Sequence, residues 1–279
     1  PAHIWTPWYS VFGSKSGFDS LEACFHEQVD HIYAIETGLS SDPAMNWRLS
    51  ALDQLTILSS SDAHSLHNIG REANIFQFKA EPTYSQIYEM IKHQTQAKLD
   101  STGQVIEPGL LSTIEFYPEE GMYHFDGHRN CNFSCEPAVS RGYHNLCPVC
   151  HKPLIIGVLN RVEELADRPI GYRPARAVDF KKLVELDKII AEALGIKSRE
   201  SKVVQRHYQE LTSRFGSELS ILLDLDLEQA GTSLDSRISE GISRMRRGDL
   251  IIQPGFDGEY GQVHIFSEAN RPQAQEILL

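Results

Sequence analysis

The sequence predicts an α/β protein with parallel strands, a small cysteine-rich segment and a largely helical C-terminal region. Three observations carry this. Strand-like and helical patterns alternate from residue 1 to about 112, four of the five cysteines fall in the turn-rich stretch 113–170, and helix-period apolar spacing marks much of 171–279. The 279 residues suffice for two or three domains. We set the expected domains at 1–112, 113–170 and 171–279.

In the first zone HIYAIET (31–37) and LTILS (55–59) read as short strands, and Tyr84, Ile87, Tyr88 and Ile91 recur at helical spacing. In the third, FKKLVELDKIIAEAL (180–194) and the run from Ser233 to Arg247 read as helices. The segment LIIQPGFDGEYGQVHIF (250–266) reads as a hairpin, because the Asp257-Gly258 pair tolerates the positive φ of a tight turn. The opening PAHIWTPWYSVFG crowds Trp5, Trp8, Tyr9 and Phe12 together like a domain interior, and we expect an N-terminal portion to precede it. Core packing is the ordinary role of such aromatics, with base stacking as the alternative.

The net charge of -12 argues against a generally basic nucleic-acid binder. One segment opposes the overall sign: between Arg141 and Lys182 there are eight Lys or Arg against four acids. No apolar run approaches the roughly 20 residues of a membrane span, and the first residues do not read as a charged-then-apolar export signal. A cytoplasmic chain without a membrane partner is the expectation.

The cysteines give the strongest local signal. Cys131-x3-Cys135 and Cys147-Pro-Val-Cys150 are two short-spaced couples, the arrangement in which two tight turns present thiolates to a tetrahedral zinc. We expect a structural Zn2+ held by Cys131, Cys135, Cys147 and Cys150, with no open position for catalysis. The competing reading is two disulfides, which need an oxidising compartment. His144 and His151 flank the second couple and can substitute for a thiolate. Cys24, in LEACF, reads as a buried apolar residue.

The stretch LTILSSSDAHSLHNIG (55–70) ends an apolar run in three serines, Asp62 and His64. In extended chain these two point to one side, where an oxygen and an imidazole nitrogen can meet one metal ion. The bland alternative is a solvated loop capped by Asp62. His3 ends an incoming strand, and Glu36 closes AIETG. Taken together, PAHIWTPWYSVFGSKSGFDS, AIETGLSSDP, SSSDAHS, HNLCPVCHKPL and GVLNRVEELADRP resemble the endonuclease Q family, a DNA-repair branch of the polymerase and histidinol phosphatase (PHP) superfamily.

The resemblance covers nearly the whole chain. It implies the C-terminal half of a distorted PHP-type β/α barrel, then a zinc-binding insert and an α+β C-terminal region. It implies a centre of two or three divalent ions (Zn2+, Mn2+ or Mg2+) with His3, Asp62 and His64 as ligands, and Glu36 and Asp62 in catalytic roles, Glu36 beside the metals either as a group supporting the ligands or as a proton acceptor. Ser40 and Ser41, in the loop after Glu36, are the candidate substrate contacts, and Arg161, Arg168, Arg173 and Arg176 the candidate phosphate contacts. The implied activity is nicking of damaged DNA 5′ to uracil, hypoxanthine, xanthine or an abasic site; a sliding clamp is a further candidate partner. One departure matters: the superfamily's opening His-x-His occurs nowhere in this sequence. The remaining ligands are therefore expected upstream, and this chain alone is expected to be inactive. The alternatives are a PHP-type phosphatase for a small phosphomonoester and a non-catalytic DNA-binding remnant.

Overall fold

The structure is a computed structural model that describes residues 1–267 and residue 269. The chain divides into two compact units, one of residues 1–181 with 254–261, the other of 182–253 with the segment from 262 onward. The first unit contains both the α/β zone and the cysteine segment.

Its organising feature is a parallel pair, β1 (Ala34–Glu36) and β2 (Thr56–Leu58), in the register Ala34↔Thr56 to Glu36↔Leu58. Both lie within the expected strands but are shorter, and His31, expected to open the first, instead closes the 3-10 turn His26–His31. The opening residues lie along the other side of β1: Glu36 N–H donates to the Pro1 carbonyl (3.1 Å), and the Glu36 carbonyl accepts from Ile4 N–H (3.3 Å). Beyond β2 a side chain replaces the ladder. Ser59 N–H donates to Asn74 Oδ1 (3.0 Å) and Asn74 Nδ2 donates to the Ser59 carbonyl (2.7 Å).

Asn74 belongs to β3 (Ala73–Gln77). After a small hairpin of β4 (Lys98–Leu99) and β5 (Val105–Glu107), β6 (Gly109–Glu115) pairs antiparallel with β3. A second hairpin, β7 (Asp126–His128) and β8 (Phe133–Cys135), follows, and β9 (Asp179–Lys182) lies beside β6. Helices α1 (Leu21–Phe25), α2 (Pro43–Asn46), α3 (Tyr84–Lys92), α4 (Pro137–Gly142) and α5 (Val158–Leu165) complete the unit. The expected helix around Tyr84–Ile91 is α3, opened by a reciprocal cap between Thr83 and Gln86. Trp5 and Phe12 are core, packed with Ile4, Ile35, Leu52 and Val162, and Trp5 Nε1 donates to Asn46 Oδ1 (2.8 Å).

The second unit consists of α6 (Leu186–Ala193), α7 (Lys202–Phe215), α8 (Glu218–Leu223), α9 (Leu227–Ala230), α10 (Ser236–Arg247) and the antiparallel pair β10 (Ile251–Gln253) and β11 (Gln262–His264). Ile189, Ile190, Ile221, Ile238 and Ile242 are fully or almost fully buried in it. Two expectations need correcting. The helix expected over 180–194 starts only at Leu186, since 179–182 are claimed by the sheet as β9. The helix expected from Ser233 starts at Ser236, because the Asp235 carboxylate accepts from the N–H groups of Arg237 and Ile238 and fixes the start there.

The expected turn is present. Asp257 and Gly258 both have positive φ (45° and 86°), and Phe256 and Glu259 exchange backbone bonds across them. The surrounding residues 254–261 belong to the first unit, where Phe256 covers Gly127 on β7: a Cβ there would meet Phe256 Cδ2 at 2.3 Å. Gly127→Val should therefore lower stability by roughly 1–3 kcal/mol through overpacking, read as a lower thermal midpoint, whereas Gly142→Ala, which meets no atom within 4 Å, should leave it nearly unchanged.

Candidate metal centres

Among the described residues, His128, Cys131, Cys147 and Cys150 place one donor atom each within 4.8 Å of one another. The hairpin explains the set. His128 ends β7, the 3-10 turn Arg129–Cys131 follows, and Asn132 in the left-handed region (φ 48°) reverses the chain, so Cys131 folds back beside His128. Cys135 lies two rungs down the ladder, paired with Asp126 while His128 pairs with Phe133. Two residues of strand are about 7 Å, which leaves Cys135 outside the donor group, although it shares a buried cluster with Cys147 and Leu154. The group that the structure brings together thus contains His128 where Cys135 was expected, and neither His144 nor His151 belongs to it.

No disulfide joins the cysteines. Three sulfurs and an imidazole are a zinc-type donor set, closed to further ligands. The Cys147 thiol is held down at about 7: burial pushes it up, and the N–H groups of Cys150 and Val149 outweigh that. The hairpin is tied to its neighbours by the fully buried Asp126 carboxylate, which accepts from Gly157 N–H (2.7 Å), from Asn160 Nδ2 (2.5 Å) and from the Ser140 hydroxyl.

A second group of residues collects where β1 and β2 end. Parallel strands release their following loops from the same edge, the usual place for a site in α/β folds. Glu36 closes β1, and its Oε2 accepts from His3 N–H at 2.6 Å. Gly38 (φ 59°) lies against His3: a Cβ there would come within 2.6 Å of His3 Cβ. His3 and Asp62 both have positive φ (33° and 44°), a strained choice for non-glycine residues that concentrates at functional sites. His64 Nδ1 lies 2.8 Å from the Asp62 carbonyl oxygen. That oxygen only accepts, so Nδ1 is the donor of this contact, which leaves Nε2 as the nitrogen that a metal ion would meet. The donor atoms of His3, Asp62 and His64 do not form a group within 4.8 Å like the cysteine set; Asp62 and His64 are exposed and His3 is half-buried.

Other candidate residues hold intramolecular partners. Ser41 is 1% exposed, its hydroxyl donating to the Thr37 carbonyl (2.9 Å) and accepting from Asn46 Nδ2 (3.1 Å), so it braces the loop from within; Ser40 is half-buried. The four arginines hold intramolecular partners: Arg161 Asp19 and two backbone carbonyls, Arg168 both oxygens of Asp53, Arg173 Asp179, and Arg176 the His93 carbonyl. Arg161 is buried and Arg168 half-buried, so both are committed to the fold, whereas Arg173 and Arg176 are exposed and the partner of Arg176 is a neutral carbonyl.

Two carboxyl groups that the sequence reading did not single out lie behind this edge. Glu115 ends β6, fully buried, and accepts from Thr37 Oγ1 (2.9 Å) and from the Thr113 hydroxyl. Glu72, 3% exposed, accepts from Phe116 N–H (3.3 Å), while its Oε2 is buried without a hydrogen bond. Burial raises Glu72 to about 9, with the charges of Glu115 and Glu36 adding to it. Burial likewise raises Glu115 to about 8 against the hydrogen bonds of Thr113 and Thr37. The signal for Glu115 was available: like Glu36, it is an acid after isoleucine closing an apolar strand.

A family model described as the MJ0043 C-terminal domain matches residues 185–249. The uncharacterized protein MJ0043 of Methanocaldococcus jannaschii is 31% identical over 283 residues, 99% of this chain and 33% of its own length. The uncharacterized protein YqxK of Bacillus subtilis is 28% identical over 264 residues, 94% of this chain and 60% of its own. The crystal structure of the lesion-specific endonuclease PfuEndoQ from Pyrococcus furiosus matches with a TM-score of 0.81 at 30% identity, over 99% of this chain and 64% of that one. This chain is a structural relative of endonuclease Q. A further endonuclease Q structure, a complex with a 27-mer duplex substrate bearing an abasic lesion at the active site, matches at 0.78 and 29% identity, over 100% of this chain and 66% of that one. The chain thus spans between 33% and 66% of the length of these relatives. Among the described residues no helix is long and apolar enough to cross a membrane.

Two outcomes are expected. His128→Ala should weaken zinc binding by more than the roughly 10–100-fold that an orienting partner is worth, and Cys135→Ser should retain zinc, both read by chelator competition. Glu72 and Glu115 hold their protons when folded, whereas an unfolded glutamate releases its proton near 4.5. Stability from these groups is therefore complete below pH 4.5 and declines as pH rises toward 8 to 9. The thermal midpoint should fall across that window, and less steeply in Glu72→Gln.

Proposed function

We propose that this chain supplies part of the catalytic region of a metal-dependent DNA endonuclease of base-damage repair, which nicks 5′ to a deaminated base (uracil, hypoxanthine or xanthine) or an abasic site. The observation that carries this reading is the likeness to lesion-specific endonuclease structures across 99–100% of the chain at about 30% identity. In the same reading residues 1–112 are the later part of a PHP-type barrel, 113–170 its zinc insert and 171–279 a C-terminal region.

His3 and His64 would offer neutral imidazole nitrogens and Asp62 a hard oxygen to divalent ions, a donor set suited to Zn2+ or Mn2+. Such ions, when bound, lower the pKa of coordinated water and neutralise charge on the leaving oxygen. The His64 contact fits this role, since Nδ1 is the donor to the Asp62 carbonyl and Nε2 is left to meet a metal ion. Glu36, whose carboxylate accepts from the His3 N–H, would take the proton in this reading. Damaged DNA is the partner of this reading, and extrusion of the damaged nucleotide gives the site access to it.

The full-length protein should nick duplex DNA containing uracil or hypoxanthine in a metal-dependent way. Asp62→Ala should reduce the rate by a factor of roughly 10²–10³, the range that loss of one electrostatic catalytic group costs, while leaving duplex affinity within a few-fold. Hydrolysis of a small phosphomonoester with no nicking of damaged DNA would favour a phosphatase instead.

A further inference from the structure

The loop that carries Asp62 and His64 also carries two aliphatic side chains turned to solvent: Leu66 is 84% exposed and Ile69 67%. Single exposed leucines are ordinary on protein surfaces. Here both sit on one short turn, Leu66–Asn68, closed by Ile69 N–H donating to the Leu66 carbonyl and by Asn68 N–H donating to the Ser65 carbonyl. The base of the loop is pinned. Arg71 donates through Nε and a terminal nitrogen to the Ser61 carbonyl (3.2 and 3.1 Å), and its guanidinium lies 5.6 Å from the Phe116 ring centroid. A polar loop pinned at its base thus presents an apolar tip close in sequence to the candidate ligands.

We propose that Leu66 is a wedge that enters the base stack of a lesion-bearing duplex and fills the space left by the extruded nucleotide. This rests on the nuclease reading above and adds a positioning residue to it. Apolar side chains inserted between base steps are an established means of unstacking a duplex, and extrusion requires the gap to be stabilised. Leu66 lies four residues beyond Asp62 and two beyond His64, so insertion would set the register of the scissile phosphate relative to those donors. The wedge acts only on paired, stacked DNA; a lesion in a single strand does not need it.

The test compares the full-length protein with Leu66→Ala and Leu66→Met on a hypoxanthine-containing strand, presented either paired in a duplex or single-stranded. With Leu66→Ala, nicking of the duplex should fall roughly tenfold or more, about 1.4 kcal/mol for each factor of ten, with the single-strand rate within twofold of the unaltered protein. Leu66→Met should recover most of the duplex rate, and 2-aminopurine placed next to the lesion should brighten on binding of the unaltered protein but not of Leu66→Ala. Equal duplex nicking by Leu66→Ala, or a parallel loss on both substrates, would overturn the wedge alone. Failure of the unaltered protein to nick either substrate would overturn the nuclease reading and the wedge with it.

Discussion

The parallel ladder between β1 and β2 is the constraint on which the candidate site depends. Thr37 N–H extends it one residue, donating to the Leu58 carbonyl (3.0 Å), so both chains leave the sheet at one edge. From that edge hang Glu36 with His3 on its carboxylate, the braced loop through Ser41, and the loop holding Asp62, His64 and Leu66. The loop after β1 is rigid because its polar groups form an inward chain: Trp5 to Asn46, Asn46 to Ser41, Ser41 to the Thr37 carbonyl, and the Thr37 hydroxyl to Glu115. Each member is buried and bonded, which is what makes such a network specify one geometry.

Two kinds of acidic group serve two purposes in the first unit. Asp126 is fully satisfied and ties the zinc-type hairpin to α4 and α5. Glu72 and Glu115 are buried with fewer partners and keep their protons well above the usual range. Retaining them in the core behind Glu36 lowers stability at neutral and alkaline pH. Residues under strain or poorly solvated beside a site are the usual mark of a geometry held for function.

Much of this was legible in the sequence. The two strands, the capped helix α3, the Asp-Gly turn and the metal-type cysteine spacing are local signals, and each is present. What escaped depended on contacts distant along the chain. His128 replaces Cys135 because antiparallel register moves Cys135 two rungs away, yet His128-x2-Cys131 repeats the spacing of Cys147-x2-Cys150 and could have been noticed. Ser41, Arg168 and Arg161 carried the chemistry of a binding surface, but their partners, Asn46, Asp53 and Asp19, take that capacity into the fold. No pattern in LSSDP distinguishes a hydroxyl facing a ligand from one facing a carbonyl four residues back.

The most direct test of the central claim, that the ends of the opening segment, β1 and β2 hold a divalent-ion centre, is anomalous scattering from crystals of the full-length protein soaked in Mn2+. The account predicts an anomalous peak within coordination distance, about 2 Å, of His3, Asp62 or His64, and a distinct zinc peak among His128, Cys131, Cys147 and Cys150. Zinc at the cysteine cluster with no ion near any of those three residues would contradict it.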